Sequence, residues 1–118
     1  MYKYHNQNPL DLLTDDCTVR AISMAEGTTW DYTYDKLSEL AQRYGTLLND
    51  RQFIINYLDN NYHRLPISNK TIGEISYEYK DNILLITIPG HITVSKFGTV
   101  YDLFDCRDSL PEYIWVVR

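Results

Sequence analysis

The sequence predicts an α+β domain in which helices come first and a small antiparallel sheet follows. Three features carry this. Between residues 17 and 59, apolar side chains recur at helical spacing in three stretches separated by glycine and polar punctuation. Ile83-Leu84-Leu85-Ile86-Thr87-Ile88 is an unbroken apolar run of strand length. Beyond it, two strand-like stretches flank Phe97-Gly98, the pattern of a hairpin. Helices first and strands afterwards give the segregated α+β arrangement rather than alternating βαβ units.

Residues 1–14 read as an irregular arm, with Asn6-Gln7-Asn8-Pro9 as a turn signal. Asp15 or Asp16 caps the first helix, which starts at Cys17. Its Val19, Ala21, Ile22 and Ala25 surround much of the circumference, as in a central helix. Gly27 ends it. Thr28 or Thr29 caps a second helix over 30–44, with Trp30, Tyr34, Leu37, Leu40 and Ala41 on one side and Gly45 as the stop. Asn49 caps a third over 50–59, where Phe53, Ile54, Tyr57 and Leu58 share a face. Residues 64–67 look extended, and 71–77 form a short helix containing Gly73. The run 83–88 suits a strand buried on both faces. Residues 91–96 and 99–104 make the hairpin, and 113–117 the last strand.

Bulk properties narrow the class. At 118 residues the chain is one domain, 1–118, able to bury a single core. A net charge of −5 argues against a general nucleic-acid binder. No apolar run approaches the ~20 residues of a membrane span. The start of the chain has no signal-peptide core, so a cytoplasmic location is expected. Eleven tyrosines supply amphipathic area for a half-buried sheet or a contact surface. The two cysteines, Cys17 and Cys106, make neither a disulfide framework nor a zinc pattern, and neither metal nor cofactor is expected. A bridge between them is a redox alternative that a reducing cytosol disfavours.

The chemistry-bearing residues are few. Cys17 sits at the first turn of a helix, beside unpaired backbone N–H groups and the positive end of the dipole, which favours the nucleophilic thiolate. His91 begins a strand just after Pro89-Gly90. If Phe97-Gly98 is a two-residue loop, Asp102 faces Thr93 and lies one diagonal step from His91. With one extra loop residue, Asp105 falls opposite His91. Spacing leaves both acids open. Taken singly, each residue has a bland reading: a buried cysteine, a strand-edge histidine, acids that blunt a sheet edge. The joint arrangement favours a nucleophile, a base and an orienting group. His5 and His63 lack ligand spacing and read as surface residues.

Asn6-Gln7-Asn8-Pro9, Asp16-Cys17-Thr18-Val19-Arg20-Ala21-Ile22, Gly90-His91 and Tyr101-Asp102-Leu103-Phe104-Asp105-Cys106 together resemble a family of small phage and prophage proteins with a papain-like fold. More remotely, they are similar to bacteriocin-processing leader peptidases, whose cysteine also follows an aspartate. The resemblance runs through nearly the whole chain. It implies Cys17 as nucleophile, His91 as general base and Asp105 as third member, with Asp102 the alternative. In the leader peptidases a glutamine six residues before the cysteine helps to form the oxyanion hole. Here that position is Asp11, so the amide would have to come from Asn6, Gln7 or Asn8.

Two functions follow as expectations. One is a cysteine peptidase-like hydrolase that cleaves a peptide, isopeptide or amide bond in a peptide or protein substrate. The other is a weak or inactive papain-like module, such as a phage anti-defence protein, that engages a host protein through an acidic, tyrosine-rich surface. In either case Cys17 should be the more reactive thiol.

Overall fold

The computed structural model describes residues 1–118. Four helices, α1 (Cys17–Glu26), α2 (Trp30–Arg43), α3 (Arg51–Asn61) and α4 (Ile72–Glu78), accompany six strands. These are β1 (Tyr2–Tyr4), β2 (His63–Leu65), β3 (Ile83–Ile88), β4 (His91–Lys96), β5 (Thr99–Asp102) and β6 (Tyr113–Val116). They form one mixed sheet in the order β1-β5-β4-β3-β6-β2. The architecture is α+β.

β3 lies inside this sheet, between β4 and β6, and all six of its residues are buried. Alternation sends Ile83 and Leu85 into a cluster with α1, α2 and α3, where Ile22, Leu37, Leu58 and Trp115 are almost fully enclosed. Leu84, Ile86 and Ile88 face the other way, onto Ile72 and Ile75 of α4. A two-faced core explains why the sequence of β3 does not alternate.

The sheet is larger than the small antiparallel one expected. Tyr2–Tyr4, read as part of an irregular arm, adds to β5 in parallel, with Tyr4 level with Asp102. Three residues are too short a run to show a strand period. Their ladder partners on the outer edge of β5 supply the reason they are extended. At the opposite edge, β2 pairs with β6 and ends before Pro66, which has no N–H for a ladder.

The helix boundaries follow local chemistry. Thr29 caps α2 through the Tyr32 N–H, and Thr71 forms a reciprocal capping box with Glu74 at α4. Asp50, not Asn49, caps α3, accepting from the Phe53 N–H at 3.0 Å. Asp16 stands at the cap position of α1, yet its carboxylate makes no capping bond.

The β4–β5 turn fixes the register that matters for the site. Phe97 and Gly98 both have positive φ, 51° and 85°, the geometry of a two-residue hairpin loop. Lys96 therefore pairs with Thr99 and Val94 with Tyr101. β5 stops at Asp102, short of the 99–104 expected, and Leu103 and Phe104 leave the ladder.

Candidate active site

The start of α1 and the start of β4 meet at one cleft of about 170 Å³. Cys17 and Thr18 line it from α1, and Gly90, His91 and Ile92 from the β3–β4 connection. Ile54, Ile55, Arg51 and the preceding Asn49 close it from α3. Both positions are set by chain punctuation. The Pro89-Gly90 turn, with Gly90 at φ 71°, makes His91 the first residue of its strand. Asp16, at φ −120° and ψ 24°, lies outside the helical conformation and makes Cys17 the first residue of its helix.

His91 is held from one side. Its Nε2 lies 2.6 Å from Oδ2 of Asp102, which is only 3% exposed. The two-residue loop decides this pairing, because it places Asp102 one diagonal step from His91. Asp105 is not brought to the site. It stands at the surface, where its carboxylate accepts from the backbone N, Nε and Nη2 of Arg107 at 3.1, 2.9 and 2.8 Å. The expectation that Asp105 would reach His91 required an extra loop residue that the turn does not contain. Phe104 occupies the space beside the imidazole instead, its ring centroid 4.8 Å from that of His91.

The electrostatics are those of a coupled pair. Burial works against charge on His91, but the hydrogen bond with Asp102 and the negative charges of Asp102 and the nearby Cys17 thiolate push its pKa up to about 9. Burial likewise works against a thiolate at Cys17. Interaction with His91, the Ile92 backbone N–H and the charge of Arg20 override it, so the thiol's pKa falls below its ordinary value. Asp102 is held below the usual carboxylate range despite its burial, with the His91 hydrogen bond as the leading cause. Cys106 goes the other way. Burial pushes its thiol up, and the charges of Asp102 and Asp105 add to the effect. Both cysteines are free, and they belong to opposite faces of the sheet.

Behind the cleft runs a buried chain of charges that the sequence reading missed. Arg20 donates from Nε to Asp16 Oδ1 at 2.7 Å and from Nη1 to Asp102 Oδ1 at 3.2 Å. Asp16 Oδ2 also accepts from Asn8 Nδ2 at 3.1 Å and from Trp30 Nε1 at 2.9 Å. The backbone of Asp102 is gripped as well: its carbonyl accepts from the Tyr2 hydroxyl and the His5 N–H, both at 3.0 Å. The available signal was the Asp16–Arg20 spacing, an acid one helical turn before a base.

The three candidate oxyanion amides are committed elsewhere. Asn6 Nδ2 donates to the Leu12 carbonyl, Gln7 Nε2 to the Thr28 carbonyl, and Asn8 Nδ2 to Asp16. None lines the cleft. They build the turn that the Asn6-Pro9 composition also signals, and Asp11 sits exposed within it at φ 55°. The side-chain amide that does line the cleft is Asn49, released from capping by Asp50. No cluster of three or more histidine, cysteine or acidic groups has metal-holding geometry, and no helix is long and apolar enough to cross a membrane.

Among known proteins, no family model, no curated protein and no solved structure matches this chain.

Proposed function

We propose that this protein is a papain-like cysteine hydrolase that cleaves a peptide, isopeptide or amide bond, with Cys17 as nucleophile, His91 as acid and base, and Asp102 as the orienting carboxylate. One observation carries the reading: an imidazole fixed at Nε2 by a buried carboxylate shares a cleft with a thiol at a helix start. With Nε2 taken, Nδ1 is the ring nitrogen left for sulfur and substrate.

The Cys17 thiolate attacks the substrate carbonyl carbon, and the C=O pair moves onto oxygen. The Cys17 backbone N–H, a first-turn donor with no intrahelical acceptor, holds that oxyanion. The Asn49 amide is the second donor. As the C–N bond breaks, imidazolium His91 gives its proton to the departing amine, leaving a thioester on Cys17. Water then attacks the thioester, His91 takes its proton, and the acid product leaves as the thiolate–imidazolium pair is restored. A cytoplasmic setting, which keeps thiols reduced, suits this cycle.

A second reading, a module of the same fold that binds a host protein without turnover, is favoured by the commitment of Asn6, Gln7 and Asn8 to other partners. Intact mass measurement separates the two. Activated peptide esters should acylate Cys17 stoichiometrically, and Cys17→Ser should abolish the thioester. Normal iodoacetamide labelling of Cys17 without acylation by any ester would favour the binding module.

A further inference from the structure

We propose that Arg20 is a positioning residue of the site: by spanning Asp16 and Asp102, it fixes the carboxylate that orients His91. This rests on the hydrolase reading and names a part of its machinery outside the triad.

A carboxylate one bond beyond Cβ can turn, and it aims Oδ2 at His91 only if Oδ1 is held. The Leu103 N–H donates to Oδ1 at 2.7 Å, but it belongs to the neighbouring residue and moves with Asp102. Thr93, level with Asp102 across the hairpin, helps to hold the carboxylate's pKa down, but its hydroxyl makes no hydrogen bond that would fix the carboxylate's angle. Arg20 Nη1, at 3.2 Å, is the donor that comes from a different element.

Arg20 is itself immobilised. It is 8% exposed, so its guanidinium must find anionic partners inside the protein. Its Nε is anchored 2.7 Å from Asp16, and Asp16 is fixed by Asn8 before α1 and Trp30 at the start of α2. A planar fork can serve two carboxylates at once, whereas a lysine offers one compact charge. Three chain segments thus converge on the angle of one carboxylate. Charges alternate along the series Asp16, Arg20, Asp102, His91, Cys17, so each buried group has an opposite neighbour.

The other titratable groups around the series are Tyr2 in β1 and His5 just after it, Tyr101 in β5, Cys106 and Asp105 after β5, and Asp15 and Arg51 at the cleft. None of them changes in the variants below, so each variant reads Arg20 or its anchor.

Arg20→Lys keeps the charge and removes the fork, so it isolates geometry. The test follows the His91 ring nitrogens by NMR across pH in the full chain, with iodoacetamide labelling of Cys17 read by peptide mass mapping. In the wild type, His91 should titrate near 9 and shift when Cys17 is changed to Ser. In Arg20→Lys, His91 should titrate at least one pH unit lower, and Cys17 labelling near pH 6 should slow on the order of 10-fold. A folded Arg20→Lys with both readouts at wild-type values overturns the positioning role while leaving the hydrolase reading intact. A wild-type His91 that titrates at its ordinary value, indifferent to Cys17→Ser, removes the reading itself. Where Arg20→Lys does not fold, Asp16→Asn takes its place, removing only the outer anchor. It should move both readouts in the same direction by a smaller factor, and no movement overturns the proposal.

Discussion

Asp-Cys occurs twice in this chain, and an arginine follows each time. Asp16-Cys17 is followed by Arg20, and Asp105-Cys106 by Arg107. The same residue types make a coupled site in one region and a closed turn in the other. At the start of α1, Asp16 takes only the Nε of its arginine, and the far end of the guanidinium reaches Asp102. After β5, Asp105 takes the backbone N, Nε and Nη2 of Arg107, so acid and base satisfy each other. The thiols diverge in the same way. Cys17 is half-buried beside cations, and its pKa falls. Cys106 is buried among Ile72, Ile75 and Leu84 near two carboxylates, and its pKa rises. The two regions differ in burial and in what each side chain can reach, not in residue type.

The two acids should differ most in what their loss does to turnover. Asp102→Asn should lower turnover on the order of 10²- to 10⁴-fold, because the imidazole loses the group that fixes its tautomer and angle. Asp105→Asn should leave turnover near wild type. Equal losses, measured as kcat on any substrate the protein accepts, would mean that the buried pair is not special. Next in size is the contrast of thiols. In the folded protein near neutral pH, iodoacetamide should label Cys17 on the order of 10² times faster than Cys106, since one favours the thiolate and the other is enclosed and neutral. Faster labelling of Cys106 would reverse the assignment.

A smaller effect follows from linkage. The folded-state pKa of His91, about 9, stands above its ordinary value of 6.5. Its protonation therefore contributes stability that is complete below about pH 6.5 and is lost as pH rises through about 9. Thermal melts should show a decline across that window, and His91→Ala should flatten it. Smallest is the outer anchor. Trp30→Phe removes one donor from Asp16 and should cost about 1–3 kcal/mol by chemical denaturation, while Arg107→Ala leaves Cys17 labelling unchanged.

These variants also divide what was legible in the sequence from what was not. Helical spacing, Gly27 and the apolar run 83–88 located α1, α2, α3 and β3, because each depends on residues close in sequence. Cys17 and His91 were legible because helix and strand starts leave local signals. Asp102 over Asp105 was not, since it turns on one residue of loop length; Phe97, at positive φ, gives no compositional hint of a two-residue turn. β1 was hidden because its conformation comes from β5, nearly a hundred residues away. Asn49 looked like a cap, and its neighbour Asp50 took that role. Arg20 lay in full view within the cysteine motif. Its partner Asp102 is joined to it only by the fold.

We propose that Cys17 and His91 form a thiolate–imidazolium pair with Asp102 behind it. Thiolate ultraviolet absorbance, taken as the difference between wild type and Cys17→Ser across pH, tests this most directly. Absorbance should already be present below pH 7 in the wild type and be displaced to higher pH in both His91→Ala and Asp102→Asn. Absorbance that emerges only at the pH of an ordinary thiol, and at the same pH in all three proteins, would contradict it.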